Sequence, residues 1–171
     1  MADDDTGGAV RPVVNIGALR MESYRKGSGY ESADASVSDP VGLSKIGARY
    51  IEVPPGKSSC PFHVHHVEEE MFVILEGQGA YRFGEKTYEV GPGDVLGAPC
   101  GGAEFAHKLT NTGDSLLKYF AISTLSATDV CEYPDSGKFG VGTHFGKLAF
   151  RFIGRAEDSC DYWDGEPDAR D

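Results

Sequence analysis

The chain has 171 residues, 40% of them hydrophobic, and a formal net charge of −11. That length suits one domain with modest extensions, and so acidic a surface argues against nucleic acid or anionic membrane as partners. No stretch is long and apolar enough to span a bilayer, and Met1–Asp5 lacks the basic and apolar regions of a signal peptide, so a cytoplasmic location is the default expectation.

Residues up to about Gly8 should be disordered. Val10 to Ile16 reads as an edge strand or extended arm. Met21 to Pro40 is rich in Ser, Gly, Asp and Tyr without a period and reads as loop, so residues 1–40 form an N-terminal arm and loop. From Val41 the character changes. Gly47 to Val53 alternates and stops at Pro54-Pro55-Gly56, a strand and its turn. Ser59 to His65 and Glu70 to Leu75 follow as strands. Ala80 to Phe83 and Thr87 to Val90 flank Gly84-Glu85-Lys86 as a hairpin. Gly91-Pro92-Gly93-Asp94 fits a type II turn with Gly93 at positive φ. Asp94 to Ala98, Glu104 to Thr110 and Leu116 to Thr124 complete the set. Strands spaced about 8–12 residues apart, with no amphipathic helix between them, predict an all-β sandwich or barrel over residues 41–125.

The pattern weakens over residues 126–171, a C-terminal extension. Asp129 to Gly142 holds the loop-like Glu132-Tyr133-Pro134-Asp135-Ser136-Gly137-Lys138, Leu148 to Ile153 returns as a strand, and the tail from Glu157 is acidic apart from Tyr162 and Trp163. Those two aromatics would pin the tail to the domain or to a second subunit. The widely spaced Cys60, Cys100, Cys131 and Cys160 read as free thiols. Cys60 and Cys100 fall near the candidate site, although small apolar space-fillers are the simpler reading of both.

That site starts in Pro61–Glu70, which packs three of the chain's 5 histidines against three glutamates. In a strand, His63 and His65 point to one side and His66 to the other. Two imidazoles and a carboxylate from one face outline a metal site, and His107 is the candidate for a fourth ligand. Glu68, Glu69 and Glu70 all offer the carboxylate at this point. His144 sits in a Gly-rich stretch and reads as an ordinary loop residue.

Two segments resemble the paired signatures of the cupin superfamily. The first is Gly56, His63-Val64-His65, Glu70 and Gly77; the second is Gly93, Pro99-Cys100-Gly101, His107 and Asn111. The Gly56–His63 spacing departs by one residue, and the Gly101–His107 gap is three residues longer than usual. Tyr133–Lys138 and Tyr162–Glu166 resemble flanks of small bacterial single-domain cupins, some of which carry sugar phosphate isomerase labels by fold analogy. The resemblance implies a double-stranded β-helix, a jelly-roll-like barrel with irregular terminal extensions. It also implies a metal set of His63, His65, Glu70 and His107, with Glu69 as runner-up if the register slips and Glu68 as solvated surface charge.

Three imidazoles and a carboxylate suit one divalent transition metal per chain: Fe, Mn, Ni, Co, Cu or Zn. Four protein ligands on an octahedral ion would leave two positions for a small polar substrate or oxygen. The expected function is a metal-dependent dioxygenase, isomerase, lyase or decarboxylase. A non-catalytic sugar or metabolite sensor is the alternative, and a purely structural metal site, which would be closed and thiolate-rich, the third reading. No catalytic acid or base is identifiable. Tyr50, Glu52, Arg82 and Tyr119 could point into the barrel, and Phe72 and Ile74 share the parity of Glu70 and should line it. The expected partners are a small molecule and a second copy of the chain, joined through Val10–Ile16.

Overall fold

Alternate residues of Glu70–Glu76 go opposite ways. Phe72 and Ile74 are buried, while Met71 between strand start and core is 40% exposed. The same alternation buries Ile51 and Val53 from one neighbouring segment and Leu117 and Tyr119 from the other. Period-two burial of this kind closes a sheet over a core. The computed structural model describes residues 12–143 and 150–169.

The strands are β1 Glu22–Lys26, β2 Tyr30–Ser36, β3 Ile46–Val53, β4 Val64–His65, β5 Glu70–Glu76, β6 Gly79–Phe83, β7 Lys86–Val90, β8 Val95–Ala98, β9 His107–Asn111, β10 Leu117–Thr124, β11 Thr128–Tyr133, β12 Lys138–Thr143 and β13 Arg151–Gly154. They form a six-stranded sheet in the order β1-β2-β3-β10-β5-β8, a four-stranded sheet β13-β12-β11-β4 and a three-stranded sheet β7-β6-β9. The all-β expectation holds, and among the described residues the helical elements are short 3₁₀ turns. The main core joins Phe72, Ile74, Tyr81, Leu109, Leu117 and Tyr119, among others; a smaller cluster of Phe62, Val64 and Ala106 underlies β4. Gly93 has φ 95° and the Asp94 N–H bonds to the Gly91 carbonyl, as the turn chemistry predicts.

Four expectations need correction. Met21–Pro40 is not a loop: β1 and β2 form a hairpin that extends the six-stranded sheet through β3. β1 is exposed throughout and β2 buries only Ser32 and Ala35, so neither shows an apolar period. The expected strand Ser59–His65 shrinks to Val64–His65, with single bridges at Ser58 and His63. Pro61 has no N–H to give a ladder, so pairing lapses around it. The expected strand from Glu104 starts only at His107, because Ala103–Phe105 forms a 3₁₀ turn. Asp129–Gly142 is a paired hairpin closed by Pro134–Ser136 and by Gly137 at φ 60°.

At the N-terminus, residues 12–15 are irregular and Ile16 opens a 3₁₀ turn, so the expected edge strand does not form there; residues 10 and 11 lie outside the described residues, as does the stretch to Gly8. His144 and the start of the expected strand Leu148–Ile153 also lie outside them, and the strand itself runs Arg151–Gly154. No helix among the described residues is long and apolar enough to cross a membrane.

Candidate metal centre

Three elements bring the candidate ligands to one point. β4 and its preceding bridge carry His63 and His65, Glu70 opens β5, and His107 opens β9. The 3₁₀ turn absorbs the extra residues after Gly101 and returns His107 to register: the His63 and His107 backbones exchange hydrogen bonds of 3.1 and 2.8 Å. Gly101, at φ 150°, lies against the Phe105 ring, which a Cβ would meet at 2.6 Å, so this turn needs glycine there.

The Nε2 atoms of His107, His63 and His65 lie 2.9, 3.5 and 3.5 Å from a single carboxylate oxygen, Glu70 Oε2. All four side chains expose at most 19% of their surface. The other ring nitrogens face acceptors. His63 Nδ1 lies 2.9 Å from the Pro61 carbonyl, His65 Nδ1 2.5 Å from Asp129 Oδ2 and His107 Nδ1 3.4 Å from the Phe105 carbonyl. These contacts assign the proton of a neutral imidazole to Nδ1 and leave each Nε2 lone pair pointing inward. Three lone pairs and a carboxylate then converge with no donor among them. Only a cation, metal or proton, satisfies that arrangement. The donor set and its outer supports therefore fit a divalent ion of borderline hardness, and His63, His65, Glu70 and His107 could hold one.

The protonation energetics carry the same signature. Burial pushes the His63 pKa down, but the Cys60 and Glu70 contacts outweigh it and raise the value to about 11. Burial pushes Glu70 up, and the close contacts with the His107 and His63 rings outweigh that, holding its carboxyl below the usual range. Both shifts express a cluster that favours added positive charge.

The other candidates divide clearly. His66 faces away and meets Glu132 at 3.1 Å, and Glu69 is exposed. Glu68 is half-buried rather than solvated: its Oε1 accepts the Ser126 N–H at 2.7 Å, and it gathers with His65 and Asp129. Phe72, Ile74 and Tyr119 point into the core, with the Tyr119 hydroxyl 2.8 Å from Ser59 Oγ. Tyr50 and Glu52 have the opposite parity to Ile51 and Val53 and bond to each other on the other face of β3, where Tyr50 is still buried. Arg82 also turns outward, over the Phe62 ring and to Asp135 at 2.8 Å.

A cavity of about 420 Å³ opens beside the cluster, lined by His63 and His65 on one side and by β11–β13 residues on the other. Cys60 lines it, as expected for a thiol near the site, and Cys131 rather than Cys100 is the second. Asp129, Cys131, Tyr133 and Arg151 went unrecognised in the sequence. Burial raises the Cys131 thiol and the Tyr133 phenol, so both stay protonated at neutral pH.

A cupin-domain family profile matches residues 49–123. The chain is 30% identical to a candidate sugar phosphate isomerase from Acidithiobacillus ferrooxidans ATCC 23270, with a TM-score of 0.74 over 85% of this chain and 91% of that one. A sugar phosphate isomerase structure from Silicibacter pomeroyi DSS-3 superposes with a TM-score of 0.75 over 90% of this chain and 98% of that one, at 19% identity, a likeness of fold. An oxalate-binding protein of Thermotoga maritima is 33% identical over 75 residues, 44% of this chain; the chain spans 59% of that relative's length.

Proposed function

The chain belongs to the cupin superfamily, and from that premise we propose a metal-dependent enzyme acting on a small polar molecule, of the isomerase, lyase or decarboxylase type. The carrying observation is the convergence of three imidazole Nε2 atoms on one Glu70 oxygen beside an open cavity. In this reading His63, His65, Glu70 and His107 hold one divalent transition metal. Bound there, the ion supplies Lewis-acid polarisation of a substrate oxygen.

The chain's own groups do the rest. Asp129 fixes the tautomer and tilt of His65. Tyr133, stacked near His63 with ring centroids 6.3 Å apart, presents a neutral phenol that can donate a proton or a hydrogen bond to a ligand in the cavity. The likeness to a candidate sugar phosphate isomerase favours non-redox chemistry.

The test is elemental analysis of protein purified without chelator, followed by NMR of sugar phosphates under nitrogen and an oxygen-uptake screen. About one metal per chain with aldose–ketose exchange is expected. Metal-free protein sinks the reading; oxygen uptake moves it to a dioxygenase. Binding without turnover in either assay replaces it with the sensor, the reading that the oxalate-binding relative favours.

The proposed macromolecular partner is a second copy. Ile46, Met71 and Val95 stand exposed on the outward side of the six-stranded sheet, the apolar surface a dimer would cover. Light scattering at micromolar concentration should give twice the 18.3 kDa chain mass, and a monomer mass refutes the pairing.

A further inference from the structure

The four-stranded sheet runs from the candidate metal centre to the far rim of the cavity, and its register shows which side chains share the cavity face. Cys131 pairs with both His65 and Gly140. One step along, Asp129 pairs with Gly142, and Gly142 pairs with Arg151. Directly paired residues lie on one face of a sheet, as do residues two apart on a strand. His65, Cys131, Asp129, Gly142 and Arg151 therefore face the same way, and all of them line the cavity.

The glycines on β12 act by what they omit. Neither Gly140 nor Gly142 has a positive φ, so the backbone does not require glycine at either position. A Cβ at Gly142 would meet nothing within 4 Å: it would project into the open cavity. At Gly142 β12 thus gives the cavity a bare floor, whereas over Gly140 lie the Ile153 and Tyr133 side chains, and the space over Gly142 leads from the donor cluster to Arg151.

Arg151 is the one lysine or arginine among the described residues lining this cavity. The guanidinium groups of Arg25, Arg49 and Arg82 each pair with a carboxylate; Arg151 has no ion-pair partner among the described residues. It lies near enough to Tyr133 for its charge to act on the phenol, against the larger upward push of burial. A planar fork of N–H donors at the rim of a polar cavity matches carboxylate and phosphate oxygens. Three strand spacings of about 4.8 Å separate β4 from β13, and the arginine side chain reaches back across part of that distance. The remaining span suits a chain of a few carbons.

We propose that Arg151 is the anion anchor of the ligand site, holding the carboxylate or phosphate of a small molecule whose opposite end carries the oxygen presented to the His63–His65 cluster. The inference rests on the proposed function for the ligand's far end and on the cavity alone for the anchored end. Gly142 keeps the floor low enough for the carbon chain to lie between the two ends.

Calorimetric titration with glycerol 3-phosphate, succinate and uncharged glycerol tests this, on protein as purified and after chelator treatment. The better of the two anions should bind about ten-fold or more tighter than glycerol. The phosphate or succinate arm that binds better identifies the anion. Arg151→Met should remove that preference, and Arg151→Lys should keep part of it. Gly142→Val should block the anions while leaving metal content unchanged, a readout separate from folding. Equal binding of the anions and glycerol, or unchanged anion binding in Arg151→Met, overturns the anchor. Arg151-dependent binding in a protein that never holds metal keeps the anchor and sinks the metal-centre reading; metal-loaded protein indifferent to Arg151→Met does the reverse.

Discussion

Glu70→Gln is expected to empty the candidate metal centre while leaving the barrel folded. The glutamine has the shape of the glutamate, so the side chain still fills its place among His63, His65 and His107. What it lacks is the charge, and with it the anionic oxygen on which all three Nε2 atoms converge. Three neutral imidazoles and an amide bind a divalent ion far less well than three imidazoles and a carboxylate. Loss of an outer support of a ligating histidine commonly costs about 10–100-fold in affinity, so loss of a direct ligand should exceed that range. Asp129→Asn supplies the internal comparison, because Asp129 meets His65 at Nδ1, away from the Nε2 that faces the centre, and its other oxygen accepts the Val67 N–H. Competition against a chelator, read by elemental analysis, should rank Glu70→Gln weakest, Asp129→Asn intermediate, and Glu69→Gln equal to the parent. Glu69 is exposed just before β5, so an effect there equal to that at Glu70 would bring it into the ligand set. Unchanged metal affinity in Glu70→Gln would remove the carboxylate from the ligand set.

The part of this site that could be read from the sequence is the part governed by local rules. His63 and His65 share a side because strands alternate, and Phe72 and Ile74 enter the core with the parity of Glu70. Spacing within one family pattern singles out Glu70 over Glu69, and it is the Glu70 carboxylate that lies among the three imidazoles. What escaped is long-range. Asp129 reaches His65 from 64 residues away, a pairing created by the register of β11 on β4. β11 and β12 escaped for a different reason. Their cavity-facing residues are Asp129, Cys131, Tyr133, Gly140 and Gly142, which line open space rather than a core. A strand whose inner face is polar or bare gives no apolar alternation, so it resembles a loop. β1 escaped because both its faces are exposed. The strands visible in the sequence are those that bury apolar side chains, and the cavity wall is built from strands that do not.

Asn111 closes the second signature beside His107, and Asn111→Ala is expected to damage the fold rather than the chemistry. Its side chain is 0% exposed. The Nδ2 group donates to the Val53 carbonyl at 2.7 Å and to the Ser115 carbonyl at 2.8 Å, while Oδ1 accepts the Gly113 N–H at 2.9 Å. One amide thereby ties the end of β3 to the turn between β9 and β10. Alanine would remove all three bonds and strand the Val53 carbonyl at a buried site, while the exposed Ser115 carbonyl can turn to water and the Gly113 N–H keeps its bond to the Gln78 carbonyl. One unsatisfied buried carbonyl costs about 1–3 kcal/mol and each of the two other lost bonds about 0.5–1.5 kcal/mol, so a total of about 3–4 kcal/mol is expected. For a domain of this size that corresponds to a fall in melting temperature of roughly 10 °C or more. Such a loss would consume a large share of an ordinary stability of about 5–15 kcal/mol. Asn111→Asp should do no better, since a carboxylate keeps an acceptor but gives the Val53 and Ser115 carbonyls no donor and buries a charge. Thermal and urea unfolding of the metal-free protein provide the measurement, which separates this effect from metal binding. A loss below about 1 kcal/mol would mean that water takes the amide's place, and the asparagine of the signature would then need a role other than fastening this corner of the barrel.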